Sequence, residues 1–174
     1  MPWYVLRTIA GKEDKALLLL QRVFHDINIV FPKRRLSWRK KGRVIDVIKP
    51  LFSGYMFVLA SDRQIFRLNL WLRTQKLDIW FLRVGNVLTS ISKQEMDLIN
   101  KMLGPGDIVG ESEIIKTGQR VTVVRGPLVG LEGIIRDCSK RNRRITIMVT
   151  VAGEERQVEL EGTWVDYTDK QSCK

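Results

Sequence analysis

Gly126-Pro127-Leu128-Val129-Gly130-Leu131-Glu132-Gly133 decides how the rest of this chain is read, because it sets a glycine-punctuated turn between two alternating apolar strands. Upstream, Arg120-Val121-Thr122-Val123-Val124 alternates as a half-buried strand, and Gly126-Pro127 stops the ladder in a turn that needs a residue tolerant of positive φ. Gly130 and Gly133 are expected to allow a close backbone approach before Ile134 and Ile135 open the next strand. Further on, Ile145, Ile147, Val149 and Val151 alternate strictly, and Val158-Glu159-Leu160 and Trp164-Val165 read as two more short strands. The turn alone fits any small barrel with a glycine-rich hairpin, but five short strands in about sixty residues suit an SH3-like β-barrel.

Ahead of this barrel the pattern is mixed. Residues 3–8 read as a strand, and Gly11 turns the chain into a helix with Ala16, Leu19, Leu20, Val23 and Phe24 on one face. Residues 28–38 and 43–49 read as two strands joined near Lys41-Gly42, with Pro50 ending the hairpin. A strand over 52–60 follows, then a helix capped by Asp62 with Ile65, Leu68 and Leu72 at helical spacing. Residues 80–84 make another strand, and Ser92-Lys93-Gln94-Glu95 matches a capping box ahead of Met96, Ile99, Met102 and Leu103. Gly104-Pro105-Gly106 should end that helix. The expected class is therefore α+β, with a mixed domain over 1–104, a polar linker over 105–117 and the barrel over 118–174.

Composition narrows the chemistry. No run approaches the roughly 20 apolar residues of a membrane span, and Met1-Pro2-Trp3-Tyr4-Val5-Leu6 leads into a strand rather than a signal peptide, so a cytoplasmic protein without membrane contact is expected. Cys138 and Cys173 lack paired spacing and read as free thiols, and with His25 as the only histidine neither a metal site nor a cofactor is expected. There is no phosphate-cradling glycine loop and no pair of carboxylates placed for acid–base work, which argues against an enzyme.

Charge points elsewhere. The net charge is +11, yet residues 1–106 carry 19 Lys/Arg against 8 Asp/Glu, while residues 107–174 balance at 11 of each. Within the balanced part, Arg136, Lys140, Arg141, Arg143 and Arg144 crowd one hairpin against a single Asp137. A second patch holds Lys33, Arg34, Arg35, Arg39, Lys40, Lys41, Arg43 and Lys49, opposed only by Asp46. Such local concentration suits a polyanionic partner.

The 126–133 turn, with Gly126, Pro127, Gly130 and Gly133, resembles a KOW motif. Trp3-Tyr4-Val5-Leu6 with Gly11-Lys12-Glu13, and Pro50-Leu51-Phe52-Ser53-Gly54-Tyr55-Met56-Phe57-Val58, resemble the opening and internal segments of the NGN domain of the NusG family of transcription elongation factors. The resemblance covers nearly the whole chain and implies an NGN mixed αβ sandwich followed by a KOW barrel. It also implies docking on the clamp helices of RNA polymerase through an apolar surface. Tyr55 and Phe57 share a strand face, as do Val5 and Arg7, and Phe52 and Val84 match family positions that approach those helices; packing of the domain core is the competing role for all of them.

This sequence departs from the general factor at Ala152-Gly153-Glu154 and at Gln157, and its 140–144 loop is denser in positive charge. These features are similar to the LoaP group of antitermination factors, which implies a monomer that carries polymerase past terminators and reads an RNA hairpin in a leader transcript, with exposed DNA as a further nucleic-acid contact. Arginines in the barrel loop would then pair with phosphates or stack on an unpaired base. The alternatives are a general NusG-type factor, an RRM-like RNA-binding protein suggested by residues 53–60, and a ribosomal protein of the KOW type. Ser53 and Ala60 break the RRM pattern, and neither an RRM nor a ribosomal KOW protein accounts for both domains.

Overall fold

The computed structural model describes residues 1–165, so Cys173 lies outside the described residues. In chain order the elements begin β1 (Trp3–Thr8), α1 (Glu13–Val23), β2 (Asn28–Val30), β3 (Lys33–Lys40), β4 (Arg43–Pro50) and β5 (Tyr55–Leu59). There follow α2 (Asp62–Thr74), β6 (Ile79–Phe81), β7 (Arg83–Val84), β8 (Val87–Leu88), β9 (Ser90–Ile91) and α3 (Lys93–Met102). Two short 3-10 turns, Pro105–Asp107 and Glu132–Ile134, lie among the remaining strands: β10 (Ile108–Val109), β11 (Ser112–Thr117), β12 (Arg120–Arg125), β13 (Ile135–Ser139), β14 (Arg144–Val151) and β15 (Glu154–Trp164). The α+β class expected from the sequence is what the chain adopts.

By contact the chain divides into two units. The first takes Met1–Pro32, Phe52–Asn100 and Thr150–Glu154; the second takes Lys33–Leu51, Lys101–Val149 and the described residues from Glu155 onward. This division does not follow a cut at residue 104, because the β3–β4 hairpin is counted with the barrel residues.

In the first unit an antiparallel sheet runs in the order β2-β5-β1-β6, with β9 also pairing β1. Period-two alternation sends Leu6, Met56 and Val58 to one face, where Ala16 and Leu20 of α1 and Ile65, Leu68 and Leu72 of α2 close the core. Phe24 meets Trp71 edge to face at 5.4 Å. On α1 the buried stripe is narrower than expected, since Ala16, Leu20 and Phe24 are buried while Leu19 is half-buried and Val23 is exposed. Glu13, at the start of α1, is also buried: its carboxylate accepts from the backbone N–H of Gly11 at 2.7 Å and of Gly54 at 2.9 Å, tying two loops to one helix start. A buried carboxylate is tolerated where such donors surround it.

Several sequence-based boundaries shift, each for a local reason. The strand expected over 28–38 is split into β2 and β3 at Phe31-Pro32, because proline brings no N–H to a ladder. The strand expected over 80–84 divides into β6 and β7. The cap of α2 is Ser61, not Asp62: the Ser61 hydroxyl accepts from Gln64 N–H while the Gln64 side chain reaches back to Ser61 N–H, a reciprocal pair that Asp62 cannot form from inside the first turn. At α3 the capping box stands, with Ser92 N–H donating to Glu95 at 2.9 Å and Glu95 N–H to Ser92 Oγ at 3.2 Å.

The second unit holds a five-stranded sheet in the order β12-β11-β15-β14-β13. Its fifth member is β11, which lies in the segment read as a linker. Charged and polar neighbours hide the alternation there, yet Ser112 and Ile114 are buried and β11 pairs both β12 and β15. Conversely, the short strand expected at 158–160 and Trp164 of the one expected at 164–165 belong to the single strand β15, which ends at Trp164. The 126–133 turn also differs in detail. Gly126 alone makes the close approach, at φ +100 with a would-be Cβ 2.4 Å from the Glu111 carbonyl oxygen, whereas Gly130 has positive φ in open space and Gly133 has neither constraint. Leu128 is fully buried beneath the turn, its N–H donating to Ser112 Oγ.

Candidate nucleic-acid interface

The second basic patch is a two-stranded ribbon. β3 and β4 pair antiparallel from Lys33↔Pro50 to Lys40↔Arg43, and Lys41 and Gly42 turn the hairpin at φ +49 and +76. Pleat parity divides its side chains: Ser37, Arg39 and Val44 lie on one face, and Trp38, Ile45 and Lys49 on the other. On the second face Lys49 Nζ sits 5.1 Å from the centre of the half-exposed Trp38 ring. Arg39, Lys40, Lys41 and Arg43 are exposed near the tip. Burial pulls the Arg34 guanidinium below its usual value, with Glu159 opposing that effect and Arg144 adding to it; Arg34 donates to the Glu159 carbonyl.

The barrel's basic loop is the turn between β13 and β14. Its five cations do not share one environment. Lys140 and Arg141 are exposed at the tip, and Arg136 is exposed with its guanidinium donating to the Gly133 carbonyl at 3.0 Å. Arg143 holds φ +55, an uncommon conformation for a residue with a side chain, while its guanidinium donates to Glu111 at 2.8 Å and to Thr163 at 3.0 Å and lies 3.3 Å from Glu161. Arg144 is largely buried, with its side chain 13% exposed.

Those last two arginines meet a carboxylate the sequence reading did not single out. Glu161, on β15, is 4% exposed. One of its oxygens accepts from Arg144 at 2.5 Å and from Ser37 N–H at 2.9 Å, and the other accepts from the Ser37 hydroxyl. Arg144 also donates to the Ser37 carbonyl at 2.7 Å. Both carboxylate oxygens of Glu161 and both terminal nitrogens of Arg144 thus have partners, the kind of compensation that a buried pair needs to be retained without large cost. No spacing in the sequence signals the contact with Ser37, because Ser37 and Glu161 lie 124 residues apart.

The effect is to bring the two basic segments together. Residues Ser37, Trp38, Arg39 and Val44 of the hairpin and Arg141, Asn142, Arg143 and Arg144 of the barrel turn, with Glu159, line one open cleft of about 440 Å³. Two of its arginines are neutralised by Glu161 and Glu111. Arg39 and Arg141 carry no ion pair among the described residues, so they set the sign of the cleft.

The residues expected to dock on a polymerase fall into two groups. Val5, Phe52, Tyr55 and Phe57 are all buried, Phe52 standing edge-on to Phe57 at 6.1 Å and the half-buried Arg7 lying 5.0 Å over the Tyr55 ring. All four lie outside the cluster under α1 and α2: strand alternation turns Val5, Tyr55 and Phe57 to the opposite sheet face, and Phe52 precedes β5. Val84 differs: it is 75% exposed, paired in a short hairpin with Val87, itself 72% exposed. The Phe57 face, for which docking and core packing are the competing roles, is buried in this structure.

Among the described residues no group of His, Cys, Asp and Glu could hold a metal ion, and no helix is long and apolar enough to cross a membrane. Cys138 is a free thiol whose pKa burial pushes up.

Residues 1–100 match the family model described as transcription termination factor nusG. The transcription termination/antitermination protein NusG of Thermus thermophilus is 24% identical over 91% of this chain and 94% of its own length. The protein of the same description from Bacillus subtilis is 23% identical over 94% of this chain and 97% of its own. A solved structure described as domain interaction in Thermotoga maritima NusG covers 92% of this chain and 93% of its own, with a TM-score of 0.51 at 19% identity, a likeness of fold.

Proposed function

Because the chain belongs to the NusG family, whose relatives are transcription termination/antitermination proteins, we propose that it binds bacterial RNA polymerase through its N-terminal part and promotes elongation past terminators, with RNA bound by the barrel. The observation that carries the RNA component is the exposed Lys140-Arg141 tip, which has no ion pair among the described residues in a chain segment of balanced charge. Cations left without protein carboxylates can neutralise phosphates and release counterions, which makes binding salt-dependent. A leader hairpin offers both a phosphate run and unpaired bases.

For the polymerase, Val84 is the accessible apolar residue of the expected surface, and its exposed hairpin partner Val87 enlarges that patch. The specialised, LoaP-like form of the reading rests on the sequence departures at Ala152-Gly153-Glu154 and Gln157 and on the charge density of the 140–144 loop.

The test is transcription in vitro across an intrinsic terminator, with and without the leader RNA, alongside co-migration of the chain with polymerase. Read-through should rise with the wild-type chain. Val84→Asp with Val87→Asp should weaken co-migration about tenfold while circular dichroism stays unchanged, and Lys140→Ala should lower the leader-dependent part of read-through. Increased termination would instead support a general termination factor.

A further inference from the structure

The cleft between the β3–β4 hairpin and the β13–β14 turn permits a finer assignment, which rests on the RNA-binding part of the reading above. We propose that this cleft is a composite site for one unpaired stretch of RNA, in which Arg39 and Arg141 bind phosphates from opposite walls while Arg144 is a positioning residue acting through Glu161 and Ser37.

Charge decides which arginines can bind. Arg144 is largely buried and donates to a carboxylate and a carbonyl, and Arg143 is shared between two glutamates. Using either on a phosphate would strip a partner from Glu161, which is buried, and an unpaired buried charge is far more costly than the contact would return. Arg39 and Arg141 face no such cost, being exposed. Glu159 also lines the cleft and repels a phosphate, which confines the backbone of the strand to the two arginines.

Size and chemistry fit a nucleotide. About 440 Å³ lies within the range of small-ligand sites, and Val44 and Asn142 offer an apolar surface and an amide for a base. Beside the cleft the two walls are tied by Arg144, which donates to Glu161 and to the Ser37 carbonyl, and by Ser37, whose N–H and hydroxyl both donate to Glu161, with Arg34 donating to the Glu159 carbonyl further along the hairpin. Loosening the tie beside the cleft should separate Arg39 from Arg141 without removing either charge, so its loss has a signature different from loss of a contact. A flexible ammonium cannot reproduce the guanidinium fork that reaches both acceptors.

The experiment uses the full chain and titrates oligo-uridine and oligo-deoxythymidine of equal length at several salt concentrations. Arg39→Ala and Arg141→Ala should each weaken oligo-uridine binding about tenfold and reduce the salt slope by about 0.7. Arg144→Lys and Ser37→Ala should weaken binding with the slope unchanged, and Arg39→Ala should add little in the Arg144→Lys background. Circular dichroism and urea midpoints confirm that each variant is folded; if Arg144→Lys is not, the surface variants and Ser37→Ala still decide. Wild-type affinity in Arg39→Ala and Arg141→Ala, or full additivity of Arg39→Ala with Arg144→Lys or, where that variant is unfolded, with Ser37→Ala, overturns the composite site. Tighter binding of oligo-deoxythymidine overturns RNA as the occupant. Should the wild type bind neither, the RNA reading itself falls along with this one, whereas polymerase co-migration reports separately on the rest of the proposed function.

Discussion

A single added methyl group separates two glycines that look alike in the sequence. Gly126 and Gly130 both have positive φ, but a Cβ on Gly126 would lie 2.4 Å from the Glu111 carbonyl oxygen and 2.8 Å from Ser112 Cα, backbone atoms that cannot move aside, whereas Gly130 opens on empty space. Gly130→Ala should therefore cost about 1 kcal/mol for the left-handed backbone alone. Gly126→Ala should cost more than about 2 kcal/mol, because the clash adds to it. Urea titrations of the two variants would show the difference as unequal midpoints, and equal losses would mean that the turn relaxes around Gly126. The contrast was not legible in the glycine pattern. It depends on Glu111 and Ser112, more than ten positions away.

At the scale of an element, α3 shows how much a short motif can state. Ser92 and Glu95 satisfy each other's backbone N–H groups as their spacing predicts, and Met96, Ile99 and Met102 turn inward behind them. Burial raises the Glu95 pKa, but hydrogen bonds from the Gly153 backbone, the Ser92 side chain and the Ser92 backbone outweigh it, so the folded value lies below the usual 4.5. A depressed carboxylate stabilises the fold fully above its unfolded value and loses that contribution as pH falls through the folded one. Glu95→Ala should cost about 1 kcal/mol near neutral pH and progressively less in acid, so that urea midpoints of variant and wild type converge as the pH falls through the lowered folded value. A gap that stays constant across pH would assign the loss to packing. The donor at Gly153, 58 residues away, was invisible to the motif.

For the whole molecule, the informative fact is that the second unit includes a hairpin from the middle of the N-terminal sequence. A fragment starting at residue 105 would lack Ser37, leaving Glu161 without two of its donors, and would lack β3, the partner of β10. Hydrogen exchange of the β14 and β15 amides should therefore be faster in that fragment than in the full chain, and equal protection would show that the hairpin adds nothing to the sheet. The sequence by itself determined the α+β class, the α2 and α3 helices with their apolar stripes, the β3–β4 hairpin and the turn at Gly126, because each depends on alternation, capping or turn chemistry among near neighbours. It also located both basic segments. Only the tertiary structure decided that β11 belongs to the sheet, that Val5 and Phe57 are buried, and that Arg143 and Arg144 pair with protein carboxylates while Arg39 and Arg141 do not. Burial and ion pairing depend on which distant residues occupy the surrounding space, and Ser37 and Glu161 become neighbours only when the chain has folded.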